Sequence, residues 1–282
     1  MIWRLLEGRD VTPKYVLNGC PKHGLHLLVM LAEGVCNAMP ASIYNANTWL
    51  GTYKHNSFTH HWQEVERLFF LLSRLQQGEY CKGHFGWRQD VNDFLHWSRM
   101  AHVFIVRDLR DVAVSQAFHV LTGDNKLRHH PGKDMYRTIE DIDGFDGVLE
   151  AIITGIGPFP GISDLFDPYG PWLDEQWVHV IRFEEAIEDL ESAAKGMLEY
   201  GMRQFTEGIW QDRFIVEGAL FEKAIRDMAG IARQKEASPT FRHGVAGDWQ
   251  VYFKDRHVKL FKEYDRSEWL IQLGYEQNTN WG

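Results

Sequence analysis

A three-layer α/β/α architecture around a central parallel sheet is the fold class this sequence predicts, and three observations predict it. Short β-branched and aromatic runs alternate with helical stretches, the pattern of parallel strands joined by crossover helices. Two of those runs, KYVLN and HVFIV, pass through a turn straight into a helix, and ligands of such sheets gather at the carboxyl ends of strands. Of 282 residues, 44% are hydrophobic and 24% charged, an ordinary globular balance with enough apolar surface for a packed core. Residues 1–282 are expected to form a single domain.

The first element is the strand Lys14–Asn18, ended by Gly19 and Pro21 and followed by the apolar helix Leu25–Val35. Phe58–Gln77 carries Val65, Leu68, Phe69 and Leu72 at three- and four-residue steps, an amphipathic helix closed by Gly78. Tyr80–Lys82 reads as a strand, Val91–Arg99 as a helix, His102–Val106 as a buried strand and Val112–Leu121 as the helix after it. Gly123–Lys133 and Gly155–Pro171 are polar or rich in Gly, Pro and Asp, and read as loops or lids. Val178–Phe183 resumes the strand pattern, Glu184–Arg203 is helical, and Ala237–Gly247 is a loop before a helical tail.

A net charge of −9 argues against a general nucleic-acid or anionic-membrane binder, which needs a basic face. An anionic ligand then requires a local basic pocket. The cysteines Cys20, Cys36 and Cys81 form no CxxC pair and are odd in number, which fits a reducing compartment. The start MIWRLLEGRD lacks the basic and apolar regions of a signal peptide, and no apolar run reaches about 18 residues. A cytoplasmic, unanchored protein is expected.

Three separated segments carry chemistry. Gly19-Cys20-Pro21-Lys22-His23-Gly24 joins the first strand to the first helix, where backbone N–H groups and the helix dipole attract an anion and Lys22 adds a charge. A Walker A loop would place Ser or Thr after the lysine to hold Mg²⁺; His23 stands there instead. In Val106–Ser115, VRDLRDVAVS, Arg107 leaves a buried strand and Ser115 lies in the first turn or so of the next helix, so both can hold one phosphate. Asp108 and Asp111 would help start that helix, with Arg110 as a partner. The third segment, Phe241–Trp249, sets Arg242 beside two glycines that let backbone approach a ligand. Taken singly, each segment reads equally as an ordinary turn or helix cap.

Together they resemble the family of sulfotransferases that use 3′-phosphoadenosine 5′-phosphosulfate (PAPS), its cytosolic branch above all. Pro21-Lys22-His23-Gly24-Leu25-His26-Leu27 is similar to the family's PKSGTTW loop, Val106–Ser115 to VRNPKDVAVS, and Arg242–Trp249 to RKGxxGDW with His243 in place of Lys. Lys82-Gly83-His84 resembles its Lys-x-His segment. The resemblance spans about residues 14–250 and implies a P-loop-like fold and metal-independent sulfuryl transfer from PAPS to a hydroxyl or amine of a small-molecule or natural-product acceptor, with 3′-phosphoadenosine 5′-phosphate (PAP) as product. It implies Lys22 on the leaving phosphate, Lys82 near the sulfuryl oxygens and His84 as general base. It implies that His23 and Gly24 cradle the nucleotide, that Arg107, Ser115, Arg242, His243 and Gly244 hold its 3′ side, and that Phe183 lies against adenine. Leu27 replaces the family's adenine-stacking Trp, and His23, Leu25 and His26 replace small loop residues.

Sulfuryl transfer needs alignment and charge stabilisation more than covalent chemistry, so cations and one base suffice. A neutral imidazole with an ordinary pKa near ~6.5 suits the base. The pairs His60-His61 and His129-His130 point apart on a helix or strand and have no carboxylate or Cys at ligand spacing, so no metal site is expected. Two rivals remain: a noncatalytic PAP- or PAPS-binding protein, which needs no base, and a small-molecule P-loop kinase, which needs the missing Gly-Lys-Ser/Thr. Eleven Trp and seventeen Phe can line an acceptor pocket, though most must be core.

Overall fold

The structure, a computed structural model, describes residues 3–5, 13–34, 39–40, 68–70, 72–121, 139, 142–206, 214–216, 218–234 and 245–282. In chain order the strands are β1 (Trp3–Leu5), β2 (Tyr15–Gly19), β3 (Met39–Pro40), β4 (Glu79–Gly83), β5 (Ala101–Val106), β6 (His179–Arg182) and β7 (Phe214–Val216). The helices are α1 (Leu25–Gly34), α2 (Gln89–Trp97), α3 (Leu109–Leu121), α4 (Gly144–Thr154), α5 (Ile162–Phe166), α6 (Phe183–Glu188), α7 (Leu190–Thr206), α8 (Gly218–Gln234), α9 (Trp249–Tyr252), α10 (Asp255–Tyr264) and α11 (Trp269–Gln272).

The main sheet is all parallel with order β3-β4-β2-β5-β6, and β1 pairs separately with β7 in antiparallel fashion. The two runs picked out first in the sequence are direct neighbours: Tyr15 pairs with Ala101 and the ladder runs to Gly19 opposite Ile105. Every residue of β2 and β5 is buried, as strands covered on both faces must be. Their side chains alternate between two cores. Val16, Phe104 and Val106 pack with Leu95, Val112, Ile152, Phe166 and Trp172. Tyr15, Leu17, Val103 and Ile105 pack with Leu28 and Leu31 of α1, Met197 and Leu198 of α7, and Met228 of α8.

Several expectations shift in detail. The strand expected to run through Phe183 ends at Arg182, and Phe183 opens α6. The single helix expected over Glu184–Arg203 is two, because Asp189 leaves helical geometry and its carboxylate accepts the Ser192 N–H at 2.9 Å, capping α7. Gly155–Pro171 is not a lid. Its Gly and Pro residues mark turns, yet Phe159, Ile162, Leu165, Phe166 and Tyr169 are buried in the core, α5 forms within it, and a 3₁₀ turn follows at Gly170–Asp174. Of the helix expected over Phe58–Gln77, residues 68–70 and 72–73 are helical and 58–67 lie outside the described residues. Gly123–Lys133 and most of Ala237–Gly247 lie outside them too.

Cys20 and Cys81 are buried free thiols, and burial pushes the Cys81 thiol up to about 12. Among the described residues no helix is long and apolar enough to cross a membrane, and no group of three or more His, Cys, Asp or Glu is placed to hold a metal ion.

Candidate anion and sulfuryl-transfer site

Three adjacent strand ends build the site. At the end of β2 the chain turns through Lys22 with φ 69° and Gly24 with φ 101° before α1 starts. A side chain at Gly24 is excluded twice: the backbone is left-handed, and a β-carbon would lie 2.4 Å from the Phe183 ring. Successive main-chain N–H groups in such a turn make an anion-binding concavity. His23, expected in the nucleotide cradle, lies beneath the loop. It has no exposed surface, its ring stacks on Phe166 with centroids 5.2 Å apart, and its Nδ1 accepts the Arg107 N–H at 3.1 Å. Burial, then the charge of Arg107 and the neighbouring His84, hold its imidazole well below the usual range. His23 thus ties β2 to β5 beneath the loop.

At the end of β4, His84 is 3% exposed, and its Nδ1–H donates to the Gly19 carbonyl. With Nδ1 carrying the proton, the lone pair belongs to Nε2. Lys82 stands opposite Leu17 in the ladder. Burial first, then the positive charges of Lys82 and Lys22, lower His26 to about 4, so Lys22, Lys82 and His26 share one electrostatic neighbourhood. Beyond Gly83 the chain is held by Asn18: its Nδ2 donates to the Phe85 carbonyl at 3.0 Å, and its Oδ1 accepts the N–H of Phe85 at 3.1 Å and of Gly19 at 2.9 Å.

At the end of β5, Arg107 is 7% exposed and sits 4.4 Å from the centre of the Phe183 ring. Its Nη2 donates to the Val245 carbonyl at 2.9 Å and lies 3.6 Å from the Asp111 carboxylate. Its buried Nε has no hydrogen-bond partner among the described residues, an unspent donor of the kind a phosphate oxygen satisfies. Asp111, fully buried, accepts the N–H groups of Gly247 at 2.8 Å and Trp249 at 2.9 Å. Arg110 pairs with Asp108 at 2.7 Å and Glu276 at 2.5 Å and lies 3.8 Å from the Trp249 ring centre. Burial raises the Asp108 carboxyl against the lowering influence of Arg110. The expected Arg110 partnership is therefore with Asp108.

Asp111 and Asn18 are what sequence reasoning missed. An acid in a first helical turn already had a local explanation, and nothing local shows that its partners lie more than a hundred positions onward. Ser115 is partly buried one turn deeper into α3 than expected, since the helix begins at Leu109. Leu27 is buried in the core on the α1 side of the sheet. Arg242, His243 and Gly244 lie outside the described residues.

Cations, a left-handed glycine turn and an imidazole bonded to the Gly19 carbonyl thus lie together at neighbouring strand ends of a parallel sheet, an arrangement that can attract an anion. A family model described as "Sulfotransferase domain" matches residues 49–274, and the chain belongs to that family. The matched region starts after the Pro21–Gly24 turn. Among solved structures the chain resembles mouse sulfotransferase SULT7A1 complexed with PAP, at 18% identity and a TM-score of 0.55, covering 93% of this chain and 87% of that one. It also resembles retinol dehydratase in complex with androsterone and PAP, at 14% identity and TM-score 0.55 over 92% and 81% of the two chains. A second retinol dehydratase complex, with retinol and PAP, gives 13% identity and TM-score 0.53 over 92% and 82%. These likenesses show the shared fold. No curated protein sequence matches the chain significantly.

Proposed function

We propose that this chain transfers a sulfuryl group from PAPS to a hydroxyl or amine of a small organic acceptor. The observation that carries the reading is the His84–Gly19 hydrogen bond, which couples a strand-end imidazole of fixed tautomer to the foot of the turn bearing Lys22. The PAP in the structural neighbours, and the androsterone and retinol in two of them, support a PAPS donor and a small apolar acceptor.

Residues present fit the donor. The Lys22–Gly24 turn offers main-chain N–H groups and an ammonium to the 5′ end. Arg107, with its buried unpaired Nε, and Ser115 take the 3′-phosphate, joined by Arg242, His243 and Gly244 by resemblance. Phe183 is buried, with the Arg107 guanidinium over its ring and Gly24 at its edge, so in this reading it acts on the nucleotide through the guanidinium it supports. PAPS supplies an activated sulfur. His84 Nε2 takes the acceptor's proton as its oxygen or nitrogen bonds to sulfur, and the bond from sulfur to the phosphate oxygen breaks with its electron pair leaving on PAP. Lys22 offsets that charge and Lys82 the charge on the sulfuryl oxygens. The positive charge comes from side chains, so the reaction is expected to need no metal, in a cytoplasmic single-domain enzyme.

Incubation with ³⁵S-labelled PAPS and a panel of phenols, alcohols and amines in millimolar chelator tests this. Labelled acceptor with stoichiometric PAP is expected. PAP binding without transfer to any acceptor would favour the noncatalytic nucleotide binder, and Mg²⁺-dependent transfer from ATP the kinase.

A further inference from the structure

We infer that Asn18 is a positioning residue for the base: its side chain fixes both the peptide that carries His84 and the carbonyl that sets the His84 tautomer. The inference rests on the reading of His84 as general base. Strand β2 lies between β4 and β5, and its two ladders end at different places. On the β5 side pairing reaches Gly19 opposite Ile105, but on the β4 side it stops at Asn18 opposite Gly83. His84 and Phe85 therefore emerge past the last main-chain pair.

The Asn18 amide replaces the missing rung. Oδ1 accepts the Phe85 N–H at 3.1 Å and Nδ2 donates to the Phe85 carbonyl at 3.0 Å. The same Oδ1 accepts the Gly19 N–H at 2.9 Å, which orients the residue whose carbonyl receives His84 Nδ1–H. Phe85 is anchored from the other side as well, since Trp172 Nε1 donates to its carbonyl at 3.1 Å. A fully buried amide at the end of an apolar strand is costly unless paired. Here each of its polar atoms is used on a group that adjoins or holds the imidazole, so the side chain acts on His84 through both of its supports.

The chemistry asks for this. A base misplaced by about 1 Å can cost about 100-fold in rate, and a wrong tautomer presents a proton where a lone pair is needed. Asn18→Val keeps a strand-forming side chain at this buried position and cannot bridge to Phe85. Once PAP affinity within about threefold of wild type shows an intact nucleotide site, kcat should fall about 10–100-fold with little change in KM for PAPS. The ¹⁵N shifts of the His84 ring should pass from a single Nδ1–H tautomer to a mixture. In a His84→Ala background, adding Asn18→Val should lower kcat no further. Should the Val variant not fold, Asn18→Ser, too short to reach both groups of Phe85, is read the same way.

Wild-type kcat with an unchanged His84 tautomer, or an equal loss with and without His84, would overturn the role of Asn18 while leaving the base in place. Near-native kcat in His84→Ala alone would instead overturn the base assignment, and this role with it.

Discussion

The carboxylate of Asp111 accepts the main-chain N–H of Trp249 at 2.9 Å and that of Gly247 at 2.8 Å. One buried side chain near the start of α3 thus fastens a segment 138 positions away onto the carboxyl end of the sheet, beside the Arg107–Val245 bond.

Asp111→Ala should free that segment. Two partly buried N–H groups lose their acceptor, at about 1 kcal/mol each, and Arg107 loses a nearby counter-charge. PAP affinity by calorimetry is expected to fall at least ~10-fold, with a matching drop in the denaturation midpoint. Unchanged PAP affinity would show that the Val245–Trp249 segment does not serve the ligand.

Arg107→Ala should weaken PAP binding by about 2–4 kcal/mol, the scale for truncating one member of a buried charged pair. Arg107→Lys should restore little, because an ammonium cannot lie flat on Phe183 while donating to Val245 and a phosphate together. Full rescue by Lys would reduce the role of Arg107 to that of a point charge.

His84→Ala should lower turnover by about 10²–10⁴ while PAP affinity stays near wild type. Lys22→Ala should damage both, since in the proposed mechanism its ammonium serves the ground-state phosphate and the charge that develops on it. The pair of variants separates chemistry from binding in one set of rate and calorimetric measurements.

Acid should destabilise the fold through buried imidazoles. His102 is fully buried, with no hydrogen-bond partner for either ring nitrogen among the described residues, its ring 4.5 Å from that of Trp172, and burial holds it down to about 3. The unfolded chain therefore binds a proton below about 6.5 that the folded state refuses. The stabilisation is full above that pH and lost as pH falls toward 3, on the order of 4 kcal/mol from this group alone. His179, lowered to about 4, adds in the same direction. His102→Phe should flatten the decline of urea stability between pH 6.5 and 4; an unaltered slope would remove His102 from the account.

The sheet was legible because its central strands are short, apolar and punctuated: KYVLN and HVFIV needed only their β-branched residues and the turns after them. Arg107 and Lys22 were legible as cations at strand ends. The capture of the Asp111 carboxylate by a distant loop was not, since an acid in a helix's first turn is explained locally by the dipole. Nor was the place of His23. The resemblance placed it in the nucleotide cradle, whereas the space beside Phe166 and the Arg107 N–H decide its burial. Gly155–Pro171 misled for the converse reason: turn formers dominate its composition while its apolar residues dominate its energetics.

The central place of β2 ties the lifetime of the site to that of the sheet. Its residues Val16 and Leu17 have no exposed surface and are bonded on both sides, so their amides should exchange with deuterium only when the sheet opens as a whole. The Gly19 carbonyl and the Lys22 turn hang from that same strand. Heating is then expected to abolish PAP binding and melt the sheet at one temperature, and the last amides to exchange should be those just beneath the Lys22 turn.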